Sequence, residues 1–143
     1  KILLINLVFL LTYQLYSQDY TFDSRGGSEQ KVLKFTDDSK YIHITTYGLW
    51  TDSYGNYGKE ICYGDIETSN ENINLDIVCE LTDQEAKSFK VSRKRNSLIG
   101  GGVGENTYLE TTEKYSFLLG KKCTYAVTFL NTDFFYKQKC KIN

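Results

Sequence analysis

The four cysteines fall into two pairs, Cys62 with Cys79 and Cys123 with Cys140, and the members of each pair stand 17 positions apart. Each pair brackets a short polar midpoint, Asn70-Glu71 in the first and Asn131-Thr132 in the second. If the chain reverses there, each cysteine arrives opposite its partner on a neighbouring antiparallel strand. Opposed residues in such a pair lie about 4.5–5.5 Å apart at Cα, a separation that a disulfide spans. The spacing therefore predicts two hairpins, each stapled by its own bridge. Four cysteines allow three pairings, and the other two would join distant strands: Cys62–Cys140 with Cys79–Cys123, or Cys62–Cys123 with Cys79–Cys140. The residues flanking the two pairs do not match, so the equal spacing is not the trace of an internal repeat.

The compartment follows from the N-terminus. Lys1 precedes an apolar run from Ile2 to Leu11, and a polar stretch comes after it. That is the layout of a secretory signal peptide, predicted over residues 1–17 with cleavage after Ser17. The run is too short to span a bilayer, which takes about 20 residues, and no second run of that length follows. Paired cysteines behind such a leader point to an oxidising, extracellular location. A formal net charge of −1 supplies no general attraction to nucleic acid. Asn-x-Ser/Thr is absent, so no N-linked sugar is expected.

After the leader, residues 18–31 read as a flexible arm or weak first strand, and 32–143 as a single disulfide-linked β domain. Twelve Tyr, eight Phe and no Pro suit pleated strands. Alternation then assigns faces. Ile42, Ile44 and Thr46 oppose Tyr41, His43 and Thr45. Leu75, Ile77, Cys79 and Leu81 oppose Asp76, Val78 and Glu80. Phe134, Tyr136, Cys140 and Ile142 oppose Phe135, Lys137, Lys139 and Lys141, so the cysteine side is the core. Phe89 and Val91 point inward on a strand over 88–95. Residues 96–106, with Gly100-Gly101-Gly102-Val103-Gly104, read as a loop, and Lys114–Leu119 as a further strand. Seven to nine short strands with frequent turns predict an all-β, two-sheet antiparallel sandwich of Greek-key type, with a small barrel as second choice.

Catalytic chemistry finds little purchase. His43 is the sole histidine, and no Gly-x-Ser-x-Gly or similar motif sets a nucleophile beside it. Asp65, Glu67 and Glu80 could face one another across the first hairpin as a carboxylate pair, yet solvated strand faces look the same. No Cys/His cluster has zinc spacing, and the Asp52–Asn56 stretch lacks the carboxylates of a calcium loop. The glycine run lacks the Gly-Lys-Ser/Thr of a phosphate cradle. No metal, no cofactor and no enzymatic activity are expected. Gly48-Leu49-Trp50 has the Gly-x-Trp form of the lipocalins, where it lies on the first barrel strand. Too few residues follow Trp50 for that arrangement, so no family resemblance is drawn.

Two clusters remain as binding candidates. Arg93, Lys94 and Arg95 form the one basic run, a possible polyanion patch or else a charged strand edge. Tyr47, Trp50, Tyr54, Tyr57 and Tyr63 gather around Gly48, Gly55, Gly58 and Gly64. Exposed Tyr and Trp offer stiff, amphipathic contact area, and loops on a rigid sheet commonly carry binding residues. The expectation is a secreted, non-catalytic binding protein (an effector, venom or immune-type module) that recognises an extracellular protein through this aromatic loop. The alternatives are a carbohydrate- or matrix-binding module and a carrier of a small apolar ligand.

Overall fold

The computed structural model describes residues 19–69, 72–98 and 100–142; the predicted signal peptide and the Asn70-Glu71 midpoint lie outside them. Eight strands follow in order: β1 (Asp19–Lys34), β2 (Lys40–Asp52), β3 (Tyr57–Ser69), β4 (Asn72–Asp83), β5 (Ser88–Leu98), β6 (Gly101–Thr111), β7 (Lys122–Leu130) and β8 (Asp133–Lys141). Each pairs antiparallel with the next, and β1 also pairs with β8, so the sheet closes into a barrel. The expected sandwich is therefore replaced by the second choice. The reason is physical: β1 is long enough to hold two partners, Phe22–Lys34 against β2 and Asp19–Gly27 against β8. Closure leaves no edge over the shared stretch. Residues 19–31, read as an arm or weak strand, are one continuous ladder with the Val32–Lys34 segment.

Both disulfides are the local ones. Cys62–Cys79 joins β3 to β4 and Cys123–Cys140 joins β7 to β8, on opposite walls of the barrel. Asn131-Thr132 makes the β7–β8 turn, with Asn131 in the left-handed region at φ 58°, a conformation that two-residue hairpin loops require and Asn tolerates. All four sulfurs point inward, with Cys62, Cys79, Cys123 and Cys140 each at most 3% exposed. The alternation assigned to β2, β4, β7 and β8 matches the burial along each strand.

Two segments differ from expectation. The aromatic loop shrinks to Ser53–Asn56, because β2 runs on through Asp52 and β3 starts at Tyr57. Lys114–Leu119 is not a strand; Glu113–Leu118 is a 3-10 helix that crosses one end of the barrel between β6 and β7. Its buried residues, Tyr115 and Leu118, are three apart, the repeat of a 3-10 turn rather than of a strand. Phe117 on the same turn packs on Tyr20 and Tyr54 at 5.7 and 5.5 Å between ring centroids. That end of the barrel is plugged by aromatic rings.

Asp83 ties the plug down. Its Oδ1 accepts from the backbone N–H groups of Glu85 and Lys87, both at 2.8 Å, which shapes the β4–β5 turn. Its Oδ2 accepts from the Tyr115 hydroxyl and Lys114 Nζ, both at 2.7 Å, from the 3-10 helix. Burial pushes this carboxyl up, but the donors from Lys114, Tyr115, Lys87 and Glu85 outweigh it and hold its pKa down at about 2. A carboxyl lowered on folding stabilises the fold above its unfolded value near 3.9, and that contribution is lost as pH falls through the folded value. The Asp83→Asn variant should therefore melt below the wild type at pH 7. The gap in Tm, followed by circular dichroism, should close as the pH drops from about 4 towards 2. A gap that stays constant with pH would contradict this role.

Candidate functional site

The barrel interior is filled, not hollow. Trp50 stacks on Phe22 at 5.3 Å and meets the edge of Phe89 at 5.6 Å, while its Nε1 donates to the Lys59 carbonyl at 3.1 Å. Phe89 continues the ring contacts to Tyr108 and Tyr115, and Tyr136 stacks on Tyr125 at 4.9 Å. Trp50 is 2% exposed, so the one tryptophan of the aromatic cluster belongs to the core and not to a contact surface.

A polar network crosses this core near mid-height. Glu60 on β3 and Arg93 on β5 form an ion pair at 2.6 Å, with side chains 0% and 5% exposed. Ser24 Oγ donates to the other Glu60 oxygen at 2.5 Å. Arg93 Nε donates to Asn106 Oδ1 at 3.3 Å, and its guanidinium lies 4.1 Å above the Tyr136 ring. The Tyr136 hydroxyl donates to Gln138 Oε1 at 2.9 Å, and Gln138 Nε2 donates to the Tyr108 oxygen at 2.7 Å. Gly48 makes room for it: a Cβ there would stand 2.9 Å from both Glu60 Oε1 and Ser24 Oγ. Burial opposes the charge on Arg93, but Glu60 and the surrounding oxygens more than compensate, and its pKa is raised.

Arg93 and Arg95 are 4% and 3% exposed, so the basic run does not form a surface patch. Alternation carries Phe89 and Val91 inward and takes Arg93 and Arg95 with them, leaving Lys94 outside, where it pairs with Asp76 at 2.9 Å. Arg95 has a different setting from Arg93. Its Nη1 donates to Ser97 Oγ at 3.0 Å, its Nε has no hydrogen-bond partner, and no carboxylate among the described residues pairs with it.

The remaining aromatic candidates divide between two places. Tyr54 sits in the short β2–β3 loop against Tyr20, 5.6 Å away. Tyr47, Tyr57 and Tyr63 stand on the outer wall of β2 and β3, each roughly half exposed. Register brings them together with apolar neighbours: Tyr47 opposes Ile61, and Tyr63 opposes Val78 on β4. Leu49, two residues from Tyr47 on the same face, is 67% exposed. From Tyr57 to Tyr63 the strip runs about 20 Å at 3.3 Å per residue. A shallow groove of about 750 Å³ lies beside it, bordered by Arg25, Tyr47, Leu49, Lys59, Ile61 and Glu80.

Farther along the same wall, Asp65 and Asp76 oppose each other across β3 and β4, but each carboxylate is taken by a cation on its other side. His43 Nδ1 lies 3.0 Å from Asp65 Oδ1 with both side chains largely in solvent, and Lys94 holds Asp76. The hydrogen bond from His43 lowers the Asp65 pKa, with Tyr41 assisting. Of the other carboxylates singled out, Glu67 opposes Asn74 and Glu80 opposes Ile61, so the three do not converge. The acid and thiol groups that do converge, Glu60 with Cys62 and Cys79, include both sulfurs of a disulfide, which have no thiolate to offer a metal. Among the described residues no helix is long and apolar enough to cross a membrane.

Glu60, Ser24, Asn106 and Gln138 were not singled out from the sequence. The available signal was the strand period: Glu60 shares a face with Cys62, and Gln138 lies between Tyr136 and Cys140 on the core side of β8. Searches of known protein families, curated proteins and solved structures returned no match to this chain.

The buried pair carries a stability prediction. Removing one partner leaves an uncompensated charge in the core, at a cost of about 3–5 kcal/mol. The Glu60→Ala variant should lose that much unfolding free energy in urea titrations. The double variant Glu60→Leu with Arg93→Met should recover most of it. Equal losses in the single and double variants would show that the ion pair is not what the core responds to.

Proposed function

We propose that this chain is a secreted, non-catalytic binding protein that recognises an extracellular protein partner through the outer wall of β2, β3 and β4. The observation that carries the reading is the strip of Tyr47, Leu49, Ile61, Tyr63 and Val78, apolar side chains turned to water on a rigid closed sheet. Strands usually reserve that face for polar groups, and exposed apolar patches on a folded domain mark contact surfaces. Tyrosines suit such a surface, since each supplies large area and a hydroxyl at small entropic cost. Arg25, Lys59 and Glu80 beside the strip supply a charged rim, the usual arrangement around an apolar interface centre.

Two disulfides with no free thiol among the described residues support an extracellular setting. A partner protein is preferred to a glycan because Trp50, the best sugar-stacking side chain available, is packed in the core. An apolar carrier is disfavoured because aromatic rings occupy the barrel; the cleft among Leu75, Ile77, Val127, Phe129 and Phe134 has a volume of about 30 Å³, whereas ligand pockets run to about 300 Å³ or more.

The test is a comparison of immobilised wild type with the Tyr63→Glu variant, exposed to extracellular fluid and read by quantitative mass spectrometry. Hot-spot truncations cost about 2 kcal/mol or more, close to a thirtyfold loss of affinity. Captured partners should fall at least tenfold, with Tm unchanged. The Leu130→Ser variant, on the far wall, should retain them. Identical capture by Tyr63→Glu would refute the assignment, and hits confined to a glycan array would move it to the carbohydrate reading.

A further inference from the structure

Arg95 occupies an unusual position. A guanidinium is almost never fully buried without an acidic partner, yet this one is 3% exposed and pairs with no carboxylate among the described residues. Nearby, the barrel wall parts. The β5–β6 ladder ends at Lys94 opposite Glu105, so Arg95–Leu98 pair only with β4 and Gly101–Gly104 only with β7. Glycine keeps the opening clear, because a Cβ at Gly102 would stand 3.2 Å from Arg95 Nη1 and 2.5 Å from Ser97 Oγ. Phe129, 5.9 Å from the Arg95 guanidinium, also lines the small apolar cleft inside the barrel.

We propose that Arg95 is the anchor of a buried site for a carboxylate. The orphaned Nε supplies a charge-assisted hydrogen bond, the adjoining guanidinium nitrogens extend it to the second carboxylate oxygen, and Ser97 Oγ adds a further polar contact at the rim. Arginine is the side chain best shaped for this planar, two-point recognition. A cleft of about 30 Å³ takes a water or two, or a methyl-sized group, so the fitting ligand is a short-chain monocarboxylate. The same headgroup chemistry belongs to a longer fatty acid whose tail leaves through the parted wall. The binding event neutralises a charge that the fold otherwise buries alone, so it stabilises the native state by mass action.

The whole protein, with both disulfides intact, would be titrated with sodium acetate, with sodium octanoate and with sodium chloride at matched ionic strength. Two signals would be followed: Tm, and the Arg95 Nε–Hε cross-peak in 15N-edited NMR. The expected result is a saturable shift of that cross-peak with acetate, a Tm that rises with it, and no saturation with chloride. The Arg95→Met variant keeps the volume and loses the charge; it should fold and show no acetate-dependent Tm rise. Arg95→Lys keeps the charge without the fork and should bind at least tenfold more weakly. Saturation with octanoate alone would assign the site to a fatty-acid headgroup; saturation with acetate would assign it to a free small carboxylate. The proposal is overturned if neither carboxylate saturates, if chloride acts as well as acetate, or if Arg95→Met responds like the wild type.

Discussion

Strand β1 is hydrogen-bonded on both sides, to β2 over Phe22–Lys34 and to β8 over Asp19–Gly27, and that double pairing turns a row of hairpins into a barrel. Every other ladder is local, each strand beside the next in sequence. The two disulfides lie within such local hairpins and stiffen opposite walls without joining the ends. Only β1 with β8 closes the sheet, and closure makes an inside that is shared by all eight strands.

That inside is where the chain spends its aromatic residues. Rings of Phe22, Trp50, Phe89, Tyr108, Tyr125 and Tyr136 fill the lumen, and a 3-10 helix with Tyr115 and Leu118 plugs one end. A polar network is threaded through the rings, balanced at Glu60 and Arg93 and unbalanced at Arg95. A packed lumen directs recognition to the exterior, where β2, β3 and β4 carry apolar residues on their water-facing side. The single unneutralised interior charge marks a second, much smaller place for chemistry.

Strand alternation made much of this legible. It placed Cys79, Leu75 and Ile77 in the core, put Lys137 and Lys139 in water, and made two local disulfides the natural pairing. It could not distinguish a sandwich from a barrel, because a period of two tells which side of a strand is buried and nothing about whether the last strand returns to the first. The 3-10 helix was missed because Tyr115 and Phe117, read two by two, imitate a strand; the meaningful spacing was Tyr115 to Leu118. Arg93 and Arg95 were read as surface charges on residue type alone, although Phe89 and Val91 already pointed that parity inward. Trp50 went astray for the reverse reason. Its neighbouring glycines suggested a loop, whereas Gly48 serves the core by leaving space for Glu60.

Closure of the barrel is open to direct measurement by native-state hydrogen exchange of the β1 amides. An antiparallel strand directs successive N–H groups to alternate sides, so a strand with one partner protects every second amide, and a strand with two protects them all. The account predicts continuous protection from Phe22 to Gly27, where β2 and β8 flank β1, changing to alternating protection from Glu29 to Lys34, where only β2 does. Alternating protection along the whole of β1, with the β8 amides that face it exchanging freely, would mean an open sheet and would contradict the barrel.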